Sequence, residues 1–486
     1  MKKSIISICL AMIAVLAVNA ESYTGNIVVT RYGVNTQRVV TVTVTPNENG
    51  LFTLNLEVPV FGTMVMNDVP ASTTSGVTVY SAERNVGTTF GTMRTILFAR
   101  TVNGMMAANL SLPDQNTTMW FNTVGDYFQM PNSDLEAWTS NNGEPDRWHG
   151  FKTATGALAS LSPAQLGKSE DIHEGATGQY SAVMTAKSIG TVANGTMTNG
   201  RLNAGSMIAT NTANHASMDE SYGDDFYMPI TAKPDQFKVW LKYQQGTANA
   251  NNKANVSVKT FDGTYYQEPV DKTYTNLSGS IVGGQIAACD WTQFTFSFDY
   301  DSYAANNAET KAIFVTFSTN ANPGQGSNND MLYVDDMELV YLGAITDLRY
   351  QGTTIEGWDP AVTTYTMEIA GEPNLDDFTA DIEGVSAVLT KSMEQNADGS
   401  YRIAISVVSA DLQNAANYII NVTVAATGRP GDVNDDGLVD VADVTDLIAR
   451  VLGSSQVIES RADINGDHLI DVQDVTELIA IVLGNH

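Results

Sequence analysis

Asp432, Asn434, Asp436, Asp440 and Asp443 stand at positions 1, 3, 5, 9 and 12 of a short acidic loop, and Asp463, Asn465, Asp467, Asp471 and Asp474 repeat that spacing 31 residues later. Oxygen side chains at these intervals, with the backbone carbonyl of Leu438 or Leu469 at position 7, suit a calcium ion, which takes about six to eight hard oxygen ligands. Position 9 acts through water and position 12 closes the shell with a carboxylate. Without a cation the carboxylates of each loop repel one another, so the empty loop is expected to open. We expect two calcium ions, one in each loop.

An acidic solvated tail predicts neither that spacing nor the apolar periodicity behind each loop. Val444, Leu447, Ile448, Val451 and Leu452 fall on one face of a helix, and Val475, Leu478, Ile479, Val482 and Leu483 repeat the set. Gly453 and Gly484 stand just past the helix ends, where glycine relieves the left-handed cap position. Each repeat is a loop followed by one helix, with no clear amphipathic helix ahead of it and Asp at position 12. On these residues segment 430–486 resembles a type I dockerin. The resemblance implies calcium binding and a cohesin-like partner. Two positions depart from the pattern: His468 replaces glycine at position 6 of the second loop, and Val441-Ala442 and Val472-Gln473 occupy the partner-selecting positions 10 and 11. Val441 and Val472 suit a dry contact, and the short linker Thr427 to Pro430 makes the preceding Ig-like domain an alternative partner.

Elsewhere the chemistry is thinner. Trp138, Trp148, Trp240 and Trp291 could present faces to sugar rings, against the competing reading that they fill a core. Glu136, Glu144, Asp146, Asp219, Glu220, Asp224 and Asp225 could supply a glycosidase pair, which needs carboxyl groups ~5–9.5 Å apart; such residues are also common in solvated turns. His149, His173 and His215 show no metal-ligand spacing, and Cys289 reads as a small buried apolar group. There is no phosphate-binding glycine loop or nucleophile elbow, so no catalytic residue is identified.

The elements that must position these residues are mainly β. Val40, Val42 and Val44 alternate with threonines, Asn49-Gly50 turns the chain, and Phe52, Leu54, Leu56 and Val58 return. Asn103-Gly104 marks a second hairpin. Residues 22–125 are thus expected to form an antiparallel β-barrel, and resemble calycin-like (lipocalin-like) domains. Residues 127–342 carry Leu135-Glu136-Ala137-Trp138 near their start and Met331 to Tyr341, with Asp335-Asp336, at their end. This block resembles a jelly-roll sandwich of the carbohydrate-binding kind, similar to the carbohydrate metabolism domain of secreted bacterial proteins. Residues 344–426, with Trp358-Asp359-Pro360 and short strands at regular spacing, resemble an Ig-like or cadherin-like β-sandwich.

Met1 to Ala20 reads as a secretory signal peptide: Lys2 and Lys3, an apolar stretch from Ile5 to Val18, then Val18-Asn19-Ala20. Cys9 lies too early for a lipid anchor, and no second apolar run is long enough for a membrane span. Export is expected, to the exterior, the cell surface or the periplasm. Cys289 is then the one cysteine left, which excludes an intramolecular disulfide. A formal charge of −29 disfavours nucleic acid and anionic lipid as partners, leaving cations and neutral glycans. The combined expectation is an exported glycan- or polysaccharide-binding protein with a calcium-stabilised dockerin-like end. The alternatives are a hydrolase of O-glycosyl bonds with its site in 127–342, and an assembly protein docking through that end.

Overall fold

The computed structural model describes residues 20–484 except positions 33, 48, 49, 75, 76, 103, 124–126, 141, 426–430, 455, 456, 458 and 468. The segment read as a signal peptide, apart from Ala20, lies outside the described residues, as do Asn49, Asn103, the linker 427–430 and His468. The chain forms two compact units. The first holds the residues up to 348 together with 380–391 and 405–417, and the second holds 349–379, 392–404 and 418 onward. Among the described residues no helix is long and apolar enough to cross a membrane.

Nine strands open the first unit: β1 (Glu21–Arg31), β2 (Val34–Pro46), β3 (Phe52–Val58), β4 (Gly62–Val69), β5 (Ala71–Thr74), β6 (Val77–Thr88), β7 (Gly91–Val102), β8 (Met105–Leu112) and β9 (Thr117–Thr123). They make one antiparallel sheet in the order β4-β3-β2-β1-β9-β8-β7-β6-β5, nearly closed where β4 runs beside β6. Both expected hairpins form: Pro46 pairs with Phe52 and Val102 with Met105, and Gly50 and Gly104 adopt φ of 74° and 76°. The period-two pattern sends Val42, Val44, Leu54, Leu56, Met64, Met66, Leu97 and Phe121 inward. Each such side chain contributes about 1.5–3 kcal/mol on burial. The cavity among Val42, Leu54, Leu56, Met64, Leu97 and Leu110 measures about 20 Å³, hardly room for one water, so these side chains pack against one another. At Gly25, a Cβ would lie 2.2 Å from the Asn122 carbonyl oxygen, so the close approach of β1 to β9 requires glycine there.

The second block is a sandwich. Strands Leu166–Ser169, Ser181–Thr185, Met331–Val340, Gln236–Gln244 and Cys289–Asp299 lie side by side, and the sheet turns over through Leu277–Ile281 into Ala254–Phe261, Ala312–Ser318 and Thr196–Thr198. Phe237, Val239, Leu241 and Val334 from one layer meet Val256, Val258, Val315 and Phe317 from the other in a single core. Alternation then fixes the two outer faces. Trp240 and Lys242 point outward from one layer, and Asn255, Ser257, Thr316 and Ser318 from the other.

That core extends past the sandwich. Val79 and Ala107 of the barrel belong to it, as do Val388, Val408, Ala410 and Leu412 from beyond residue 344. Asp235 is buried and accepts the backbone N–H of Leu342 and of Val385, both at 2.7 Å, while Asn109 Nδ2 donates to the Leu412 carbonyl at 3.2 Å.

In the second unit, Thr364–Ala370 pairs in parallel with Ile419 to Ala425, and Trp358 packs on Tyr365 and Tyr418 at centroid distances of 5.7 and 5.1 Å. The helices α1 (Val441–Val451), α2 (Glu459–Ala462) and α3 (Val472–Val482) follow. The apolar helix faces divide. Leu447 and Leu478 are fully buried with Val433, Ala462 and Val475, whereas Leu452 and Leu483 are 78% and 67% exposed and Ile448 and Ile479 about 40%. Leu438, Val441, Leu469 and Val472 are also exposed.

Candidate functional site

The outer face of the first sandwich layer gathers aromatic and charged groups. Trp240 pairs across the sheet with Gln293 on one side and Asp335 on the other, and Lys242 pairs with Tyr333. His173 reaches this face from the loop after Leu166–Ser169. Its ring lies flat on Trp240, at 4.1 Å and 4° between planes, and edge-on to Trp291 at 6.2 Å. The Trp291 indole N–H donates to Asp171 Oδ1 at 2.9 Å, Lys242 Nζ donates to Asp171 Oδ2 at 2.7 Å, and Trp291 meets Tyr333 edge-on at 6.1 Å. Burial pushes the Asp171 carboxyl up, but Lys242 and Trp291 together outweigh it and hold it below its usual range; the same pairing raises Lys242.

Asp335 and Asp336 owe their different settings to a β-bulge. Lys238 pairs with Glu338 but Trp240 with Asp335, so the strand Met331–Val340 carries one extra residue here, and Asp336 takes φ of 40°. Asp336 Oδ2 lies 2.8 Å from His173 Nε2. Asp335 is 2% exposed and its Oδ2 has no hydrogen-bond partner. Burial, then the charge of Asp336, pushes its carboxyl up to about 7, against the smaller lowering effects of the Asp336 N–H and His173.

The tryptophans named from sequence separate by environment. Trp291 is half-buried and touched edge-on by His173 and Tyr333, and Trp240 is half-buried with one face taken by His173. Trp138 packs against the core and donates its N–H to the Leu135 carbonyl at 2.5 Å. Trp148 is a correction: it is fully buried, its N–H donates to the Asn132 carbonyl at 3.1 Å, and no face is open to a sugar.

The carboxylates named from sequence serve mainly as structure. Asp146 accepts from Thr139 and Ser140, and buried Glu144 accepts from Lys152 and Thr153. Asp219 caps a short turn, and Glu136 accepts the N–H groups of Gln179 and Tyr180. Sequence spacing does not mark Asp335, His173 and Asp171 as one cluster. One signal was present: the inward apolar residues Leu332, Val334, Met337 and Leu339 contain a step of three, the mark of a bulge in a period-two strand.

At the C-terminal end each loop is wound by its own side chains. Asn434 Oδ1 accepts the Asp436 N–H at 3.0 Å and Asp436 Oδ1 accepts the Leu438 N–H at 2.9 Å; Asn465 and Asp467 do the same for Asp467 and Leu469. Asp440 and Asp471 cap α1 and α3, with Asp443 and Asp474 completing capping boxes. Carboxylate oxygens of Asp432, Asp436 and Asp443 converge within 4.8 Å of one another. An all-oxygen set of this charge fits a calcium ion. One cation is already near: Arg461 Nη1 lies 3.3 Å from Asp432 Oδ2 and 2.5 Å from Asp435 Oδ1.

Residues 114–340 match the family model described as "Putative carbohydrate metabolism domain", and residues 430–483 match "Dockerin type I domain". A type I dockerin is a calcium-binding module, so the acidic loops belong to a known class of metal site. No curated protein matches. Among solved structures, the chain aligns with a "putative glycoside hydrolase" from Bacteroides thetaiotaomicron at 12% identity, covering 51% of this chain and 86% of that one, with a TM-score of 0.34. It also aligns with a structure of infectious bursal disease virus, Gx strain, at 11% identity over 66% and 71% of the two chains, with a TM-score of 0.16. Neither likeness is close enough to assign a fold.

Proposed function

We propose that this is an exported carbohydrate-binding protein whose sandwich outer face holds a neutral glycan, and whose dockerin-like end takes two calcium ions. The observation that carries the reading is the half-buried Trp291 beside Tyr333, with Lys242 and Asp171 fixed next to both rings. Rings offer apolar faces to sugar C–H groups, and fixed polar groups set orientation. Asp335 supports the framework rather than hydrolysis, because its free oxygen is out of reach of solvent. The exposed pairs Val441 and Val472, and Leu452 and Leu483, suit a separate cohesin-like partner better than the Ig-like neighbour, since nothing among the described residues covers them.

Calorimetry of the full chain against a polysaccharide panel tests this reading. Binding without release of reducing sugar, weakened at least tenfold in Trp291→Ala, is expected. Release of reducing sugar would move the assignment to a glycosidase, and binding unaffected by Trp291→Ala would remove the site.

A further inference from the structure

The opposite outer face of the sandwich holds a cleft of about 560 Å³, within the usual range for small-molecule sites. Its floor is a patch of short polar side chains. Thr196 pairs with Ser318, Ser318 with Asn255, and Thr316 with Ser257, across three strands about 4.8 Å apart. Its walls are aliphatic. Leu161, Met207, Val270 and Ile189 line it and are 72%, 55%, 53% and 41% exposed, an unusual concentration of large apolar groups around one cleft.

The lining decides among ligands. Among the described residues no lysine or arginine lines the cleft, so a uronate or phosphate finds no counterion. The one carboxylate among the described lining residues, Glu268, is already matched by Lys259 at 3.7 Å and by the Tyr266 hydroxyl at 2.9 Å, so a cationic ligand gains little. A hydrocarbon tail would cover the floor's hydroxyl and amide groups and leave them without partners. Among the described lining residues Phe151 and His215 are the only aromatic rings, so flat stacking of bare pyranose faces is not what the walls favour.

We infer that this cleft is a second ligand site, for a neutral oligosaccharide bearing small apolar substituents such as O-acetyl groups. Ring hydroxyls and ester carbonyls meet the Thr, Ser and Asn floor, and the methyl groups pack on Met207, Val270 and Ile189. The cleft stands apart from the Trp291 surface, so either site can fail without the other.

The test is calorimetry of the full chain with acetylated xylo-oligosaccharide and with the same material after alkaline deacetylation. At least tenfold weaker binding after deacetylation is expected. Met207→Asp and Val270→Asp, at exposed wall positions that should not disturb folding, should abolish that difference, and Trp291→Ala should preserve it. Ser257→Leu, which fills the floor, should block binding of the acetylated form to the Trp291→Ala protein. Equal binding of the two oligosaccharides, no binding of the acetylated one, or an acetyl preference that survives both wall variants would overturn the inference. So would tighter binding of dodecanoate than of either sugar.

Discussion

His173 and Trp240 are stacked almost parallel, 4° apart at 4.1 Å, while the far nitrogen of the imidazole bonds Asp336 at 2.8 Å. One side chain thus covers an indole and ties down a bulge. His173→Ala should destabilise the first unit by about 1–3 kcal/mol, and His173→Phe, which keeps the stack but loses the hydrogen bond, by less. Denaturant unfolding followed by tryptophan fluorescence distinguishes them; equal losses would mean that the stack contributes nothing.

Asp335 gives a pH signature. Its folded pKa of about 7 lies above the ordinary carboxylate value, so the folded state keeps a proton that the unfolded chain has released. Stability from this group is therefore greatest below pH ~4 and falls as pH rises towards 7. Asp335→Asn, neutral at every pH, should be more stable than the parent at pH 8, with the advantage shrinking towards pH 4. Melting temperatures of the two proteins across that range supply the check, and parallel curves would contradict the assignment.

Chelation should affect the C-terminal module alone. With the cation removed, the carboxylates of each loop lose their common partner, and α1 and α3 should become protease-sensitive while the first unit resists. Asp432→Ala with Asp463→Ala should reproduce the chelator's effect in the presence of calcium. Calorimetric stoichiometry on the full chain tests the count of two ions.

Arg461 should matter most when calcium is absent. It is 8% exposed and its Nη1 contacts both Asp432 and Asp435 of the first loop, whereas the second loop has Pro430 at the repeat-equivalent position. Removing one partner of so buried a pair costs about 3 kcal/mol or more. Arg461→Ala should therefore lower the melting point of the chelated module more than that of the calcium-loaded one, with Arg461→Lys intermediate. An equal drop in both states would assign Arg461 to packing alone.

The acidic loops were legible in the sequence because their geometry is local: every ligand lies within twelve positions, and each helix follows directly. The barrel hairpins were legible for the same reason. The His173 cluster was not, because its members come from positions 171, 240, 291 and 335, and only the folded sheet brings them together. Period two could say that Trp240 and Trp291 share a face, but not that His173 would cover one of them. Trp148 follows a loop rather than a strand, so no alternation marked it as core. On the helices, periodicity put Leu447, Ile448 and Leu452 on one apolar face but could not say which of them the small module would bury. Leu447 is inside, while Ile448 and Leu452 stay exposed because so small a module has little interior.

Asp235, bonded at once to Leu342 and Val385, shows that the sandwich is completed by chain that comes after it. A version of the protein cut after Tyr341 would keep every strand of the jelly roll and still be unfinished. It would lose Val388, Val408, Ala410 and Leu412 from the shared core, and with Asn414 the hydrogen bond that holds the Tyr341 carbonyl. Gene fusions or proteolytic fragments ending at that apparent boundary should be sticky and poorly soluble, and recombination between relatives should favour crossovers beyond residue 417, where the last borrowed segment ends.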